Sequence, residues 1–134
     1  MSTNVGQWLR MASSNLSTAR AIRETDPRSS CSRAYYAAYA AGHALLLHVG
    51  EVPRESLGTW AHQDLPDAVK SVLGRGTVPV GSQPAALAKI HLERCRARRL
   101  DADYSPDRTV APTFAYDACR QAGAVVALAE RMVR

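Results

Sequence analysis

From Ala34 to Gly50 the chain reads AYYAAYAAGHALLLHVG, 17 residues without one charged side chain. Placed every 100° around a helix, Tyr36, Ala40, His43 and Leu47 form one stripe. Tyr35, Tyr39, Gly42 and Leu46 fill the adjoining sector, and Ala34, Ala38, Ala41 and Leu45 cover the far side. A helix apolar nearly all round belongs in the middle of a bundle. The run is too short, and too rich in tyrosine and histidine, to span a membrane. The helix is expected from about Ser30 to Val49, ending at Gly50. Its tyrosines can bury their rings provided each hydroxyl finds a partner.

The remaining segments suit neighbours for such a helix. Val5, Trp8, Leu9, Ala12, Leu16, Ala19 and Ile22 have helical spacing over Val5 to Arg23. Asn4 is the candidate N-cap, with Gln7 three residues on as in a capping box. Asp26-Pro27 disfavours further helix. EVPRESLGTW reads as an irregular connection. A short helix is expected over Gln63 to Leu73, and GRGTVPVGSQP is a Gly/Pro-rich break. A fourth helix is expected from Pro84 to about Leu100, with DADYSPDRTVAP as the loop after it, and a fifth from Pro112. Period-two alternation is missing over any useful length. The expectation is one all-α domain over residues 1–134, an up-and-down bundle of four to five helices.

Composition narrows the partners. The net charge is +5, and of 17 basic residues only Lys70 and Lys89 are lysine. An arginine-rich surface attracts phosphate polymers, although codon bias also favours arginine. Cys31, Cys95 and Cys119 lack the spacing of a disulfide framework or a zinc site and read as small buried thiols. The N-terminus MSTNVGQWLR lacks a charged-then-apolar leader, so the expected compartment is the cytoplasm, with no membrane association. The phosphate-loop, dinucleotide, zinc-protease and serine-hydrolase motifs are missing, and no cofactor or metal is expected.

Two clusters remain as candidate sites. In ERCRARRLDADY, Arg94, Arg96, Arg98 and Arg99 crowd the end of the fourth helix, followed by Asp103 and Tyr104. Cations there suit the helix dipole, and the same residues suit phosphate binding, with Tyr104 free to stack on a base. The second cluster is Arg33, Tyr36 and His43 on the alanine-rich helix, where an arginine and a histidine near a phosphodiester suit RNA cleavage. His48, His62 and His91 are isolated and read as surface or packing positions.

Together these segments resemble the small stand-alone proteins of the HEPN-domain family. SRAYYAAYAAGHALL, Ser32 to Leu46, is similar to their second helix, and RRLDADY, Arg98 to Tyr104, to their arginine-rich helix end. The first-helix WLRMASSNL agrees, and the likeness covers roughly residues 5 to 133. The resemblance implies a helical bundle that forms a homodimer and pairs with a minimal nucleotidyltransferase in toxin–antitoxin or defence systems. Catalytic members are metal-independent RNases with an R-x4-6-H motif, followed in some by x-Tyr. With Tyr104 on the motif tyrosine, Ala102 stands where the histidine belongs, and Arg96 or Arg98 lies near the arginine position. Ala40 stands where relatives often carry another histidine. By analogy, Tyr104 is also a candidate for nucleotidylation.

The resulting expectation is a non-catalytic module that binds RNA or a nucleotidyltransferase-type partner. Arg33, Tyr36 and His43 are expected to share one polar pocket with Arg99, Asp103 and Tyr104, near or across a dimer interface. One alternative is a metal-independent RNase with a rearranged site, using His43 or His62 with Arg33 or Arg99. The other is an architectural subunit of a larger ribonucleoprotein.

Overall fold

The structure, a computed structural model, describes residues 3–53, 58–75 and 80–133. The middles of two expected connections, 54–57 and 76–79, lie outside the described residues. Among the described residues, five helices make up the fold: α1 (Thr3–Ile22), α2 (Pro27–His48), α3 (Leu65–Leu73), α4 (Ser82–Tyr104) and α5 (Pro112–Val133). No strand occurs among the described residues, and the architecture is an all-α bundle.

α2 is the centre. It packs against each of the other four helices, as its lack of a polar face requires. Residues Ala34, Ala37, Ala38, Ala40, Ala41, Ala44, Leu45 and Leu46 are all fully buried. The alanines carry little side-chain volume, so the neighbouring helices come close. Gly42 takes this furthest. A methyl group there would lie 3.0 Å from Leu65 Cδ2, so the start of α3 rests directly on the α2 backbone. Burying each large side chain, such as Leu45 or Leu65, contributes roughly 1.5–3 kcal/mol.

α1 buries Val5, Ala12, Leu16 and Ala19, one stripe of its expected pattern. Asn4 lies inside this helix, which begins at Thr3, so the expected capping box is not formed there. The Asp26-Pro27 stop ends α1 and also starts α2 three residues before the expected position. Asp26 caps the new helix by accepting from the Ser29 N–H at 3.3 Å, and Pro27 takes the first turn, where its missing N–H costs nothing. At the other end, Gly50 adopts φ +87°, the left-handed conformation that turns the chain after α2.

α4 runs longer than expected. DADY is its last turn rather than a loop, closed by the Ser105 N–H donating to Asp101 O at 3.2 Å. Pro106 follows, and the residue before a proline is steered away from helix. Arg28 completes the end of α4: its guanidinium donates to Ala102 O at 2.8 Å, to Ser105 O at 3.3 Å and to Arg108 O.

The three cysteines, far apart in sequence, come from α2, α4 and α5. All are buried and free, and Cys119 Sγ lies 3.7 Å from Ser30 Oγ. Ser30 and His43 are the buried polar residues of the core among the described residues. The Ser30 hydroxyl donates to Ala19 O at 2.7 Å, tying α2 to α1.

Candidate functional site

Three residues apart on α4, Arg96 and Arg99 share one side of the helix, and that side faces the tyrosines of α2. Arg99 is the hub. Its Nη2 donates to the Tyr36 hydroxyl at 2.9 Å and to the Tyr104 hydroxyl at 3.4 Å, and its Nε lies 3.0 Å from Asp103 Oδ2. The guanidinium carbon is 5.4 Å from the Tyr36 ring centre and 5.3 Å from that of Tyr104, within cation–π range of both. Asp103 also accepts from the Ser32 hydroxyl at 3.3 Å, which draws the end of α4 onto the start of α2. The Arg99 side chain is 14% exposed, whereas Tyr104 is 66% exposed. The result is a cation set into an aromatic wall with one tyrosine standing in solvent.

His62 completes this wall, from the segment before α3. Its Nδ1 meets the Tyr35 hydroxyl at 2.5 Å, and its ring stacks on Tyr39 with centroids 4.6 Å apart. The Tyr36 ring meets it edge-on at 6.2 Å. Burial holds the imidazole below its ordinary proton affinity, and the neighbouring Arg99 and Arg96 lower it further. His62 is therefore neutral near pH 7. Burial pushes the Tyr35 phenol well above its usual range, so it keeps its proton and can either donate to Nδ1 or accept from it. No hydrogen bond from a described residue reaches His62 Nε2.

His43 has a different task. It is fully buried and stacks on Trp8 of α1 with centroids 4.3 Å apart. Its Nε2 accepts from the Trp60 backbone N–H at 3.0 Å, which leaves the proton on Nδ1 to donate to Tyr39 O at 2.9 Å. Desolvation lowers its proton affinity. The Tyr39 hydroxyl donates to Trp60 O at 2.8 Å. Trp60 is thus clasped at both backbone polar groups by two side chains of α2, and His62 follows two residues later. The polar residues of the apolar helix fasten this segment to the bundle.

The other expected site residues separate. Arg33 is exposed and donates to Asn15 Oδ1 on α1 at 3.2 Å. Arg94 is exposed. Arg98 turns to α5, with its guanidinium 4.3 Å from the Phe114 ring centre and 3.8 Å from Asp117. Arg96 stays with Arg99, and its Nε is buried with no hydrogen-bond partner among the described residues. So Tyr36, Arg96, Arg99, Asp103 and Tyr104 come together, whereas Arg33 and His43 belong elsewhere. Ala102, at the end of α4, is buried. The imidazole beside the guanidinium groups is that of His62. In the sequence His62 enters only the rearranged alternative, because nothing periodic marks the segment that carries it.

Among the described residues, no group of three or more histidine, cysteine or acidic side chains is arranged to hold a metal ion. No described helix is long and apolar enough to cross a membrane. A comparison with protein families finds no family model that matches the chain, and a comparison with curated proteins finds no match.

Proposed function

We propose that this chain is a HEPN-like helical module that binds single-stranded RNA on the face formed by Tyr36, Arg96, Arg99 and Tyr104. The observation that carries the reading is Arg99, held by tyrosine hydroxyls next to an exposed tyrosine ring. A phosphate accepts from the guanidinium groups while a base stacks on Tyr104, the pairing that sequence-tolerant RNA binding uses. Arg96, close enough to act on the same His62 imidazole, adds a second positive charge on that side. Asp103 neutralises Arg99 in part, so a bound phosphate competes with that carboxylate. The basic net charge favours the encounter. A homodimer that sets two such faces side by side agrees with the resemblance, and sedimentation equilibrium measures it.

The test is fluorescence anisotropy with a labelled single-stranded RNA across a salt series. Binding that weakens linearly in the logarithm of salt, and that falls in Arg99→Gln, supports the reading. Salt-independent binding, or binding unaltered in Arg99→Gln, defeats it. Co-purification with a nucleotidyltransferase through the same residues, without RNA binding, moves the site to a protein partner.

One observation favours a second reading, metal-independent RNA cleavage. His62 is neutral, faces Arg96 and Arg99, and is steadied by Tyr35. In that chemistry His62 takes the proton of a 2′-hydroxyl, and the freed oxygen attacks phosphorus. The bond from phosphorus to the 5′-oxygen breaks, and solvent protonates the leaving oxygen. The guanidinium groups stabilise the charge on phosphorus. The products are a 2′,3′-cyclic phosphate and a 5′-hydroxyl. Incubation with RNA in a chelator, comparing the wild type with His62→Ala, decides between binding alone and cleavage.

A further inference from the structure

A second cationic site lies beside the last turns of α4, where a cavity of about 340 Å³ opens between α2, α4, α5 and the α4–α5 connection. That volume falls at the lower end of small-molecule pockets, roughly 300–1,000 Å³. Arg98 lines this cavity and Arg99 meets the tyrosines, so the two sites are separated by one step of the helix.

The frame of the cavity is held in place. Arg28 grips the carbonyls of Ala102, Ser105 and Arg108, which fixes the end of α4 and the connection that forms one wall. Inside, Phe114, Val110 and Cys31 supply an apolar surface. The Cys31 thiol adds no charge, since burial pushes its pKa up to about 11.

At the rim stand two guanidinium groups with long ion pairs; Arg98 also lies 4.3 Å from the Phe114 ring centre, and the Asp101 carboxylate shares the lining. Arg108 reaches Asp101 at 3.5 Å, and Arg98 reaches Asp117 at 3.8 Å. Asp117 makes its shorter contact, 2.8 Å, with Arg120. Both pairs are long, the first solvent-exposed and the second half-buried; such long contacts hold their partners loosely, so both cations can turn to an incoming anion.

We propose that this cavity binds a small organic anion, one carboxylate or phosphate on a body the size of a single ring. The anion sits on Arg98 and Arg108, and the ring lies against Val110, beside the Phe114 ring that Arg98 covers. The site is independent of the RNA reading, because it uses different residues.

The experiment follows backbone amide shifts of the whole chain by NMR during titration with benzoate, phenyl phosphate and neutral benzamide. The expected result is saturable shifts at Val110 and Phe114 with benzoate or phenyl phosphate, whichever anion source fits. Benzamide should bind at least about tenfold more weakly. Arg108→Gln should weaken the anion about tenfold and leave the fold intact, since Arg28 holds the Arg108 carbonyl and not its side chain. Val110→Trp, which fills the cavity and keeps both charges, should abolish saturation. Any of three results overturns the proposal: no saturable shift, equal affinity for benzamide, or shifts centred on Arg99 and Tyr104.

Discussion

The Tyr35 hydroxyl and His62 Nδ1 meet at 2.5 Å, joining the buried centre of α2 to the segment ahead of α3. This contact fixes one edge of the imidazole and leaves the other free of described partners. Tyr35→Phe removes the hydrogen bond and keeps the ring. The expected cost is about 1 kcal/mol of stability, read as a lower urea midpoint with an unchanged slope. The His62 ring signals should broaden or shift in the same variant. Unmoved His62 resonances would falsify the positioning role.

Arg99 and Asp103 should move RNA binding in opposite directions. Arg99→Gln removes the central cation and should weaken binding by about 1–3 kcal/mol while flattening the salt slope by about one phosphate contact. Asp103→Asn frees Arg99 from its carboxylate and should tighten binding several-fold at low salt, with the gain fading as salt screens it. Anisotropy titrations of both variants check this, and a parallel loss in both would assign Asp103 to scaffolding instead.

His43→Ala should be among the most damaging core substitutions. It leaves the Trp60 N–H without its acceptor and removes the ring stacked on Trp8. The combined expectation is about 3 kcal/mol. Hydrogen exchange should localise the loosening to residues 58–64 before it reaches α2, because Trp60 then keeps only its bond from Tyr39. Uniform loss of protection over all five helices would contradict the clasp.

Acid should destabilise the fold through its histidines. His43, His62 and His91 all have proton affinities held below the ordinary value of 6.5, chiefly by burial. The unfolded chain therefore takes up protons near pH 6.5 and the folded chain only at lower pH. Between those points the unfolded state binds more protons, so stability falls as pH drops and is fully present above pH 6.5. Thermal unfolding followed by circular dichroism should give a plateau in Tm above about pH 7.5 and a decline below 6.5. An unchanged Tm down to pH 5 would exclude the depressed values.

The sequence carried the fold further than the site. Apolar periodicity located all five helices, since each must bury a stripe, and the featureless α2 had to be central. Helix ends were less legible. Asp26-Pro27 looked like a stop, yet aspartate before proline is equally a helix start. DADY looked like a loop because aspartate and tyrosine favour other structures, yet the backbone carbonyls held by Arg28 keep the turn helical. Within the site, Tyr36, Arg99, Asp103 and Tyr104 were foreseen to meet. Tyr36 and His43 share a stripe, but at the height of His43 that stripe meets Trp8 of α1, not α4. Arg33 lies one residue beyond Ser32, the side chain that does reach Asp103. His62 depends on two bonds to the Trp60 backbone, which no pattern of side chains encodes.

Arg98 and Arg99 are consecutive, and the 100° between them makes the phase of α4 a quantity in its own right. Inserting one residue upstream, between His91 and Arg96, would advance every later side chain by one slot. Arg98 would then fall where Arg99 had been, so the aromatic wall would still meet a guanidinium. Ala97 would inherit the bearing of Arg98 and leave the cavity rim a cation short, while Asp103 would move into the place of Tyr104. Helix length here is thus a selector, able to separate two neighbouring surfaces without changing the identity of a single side chain.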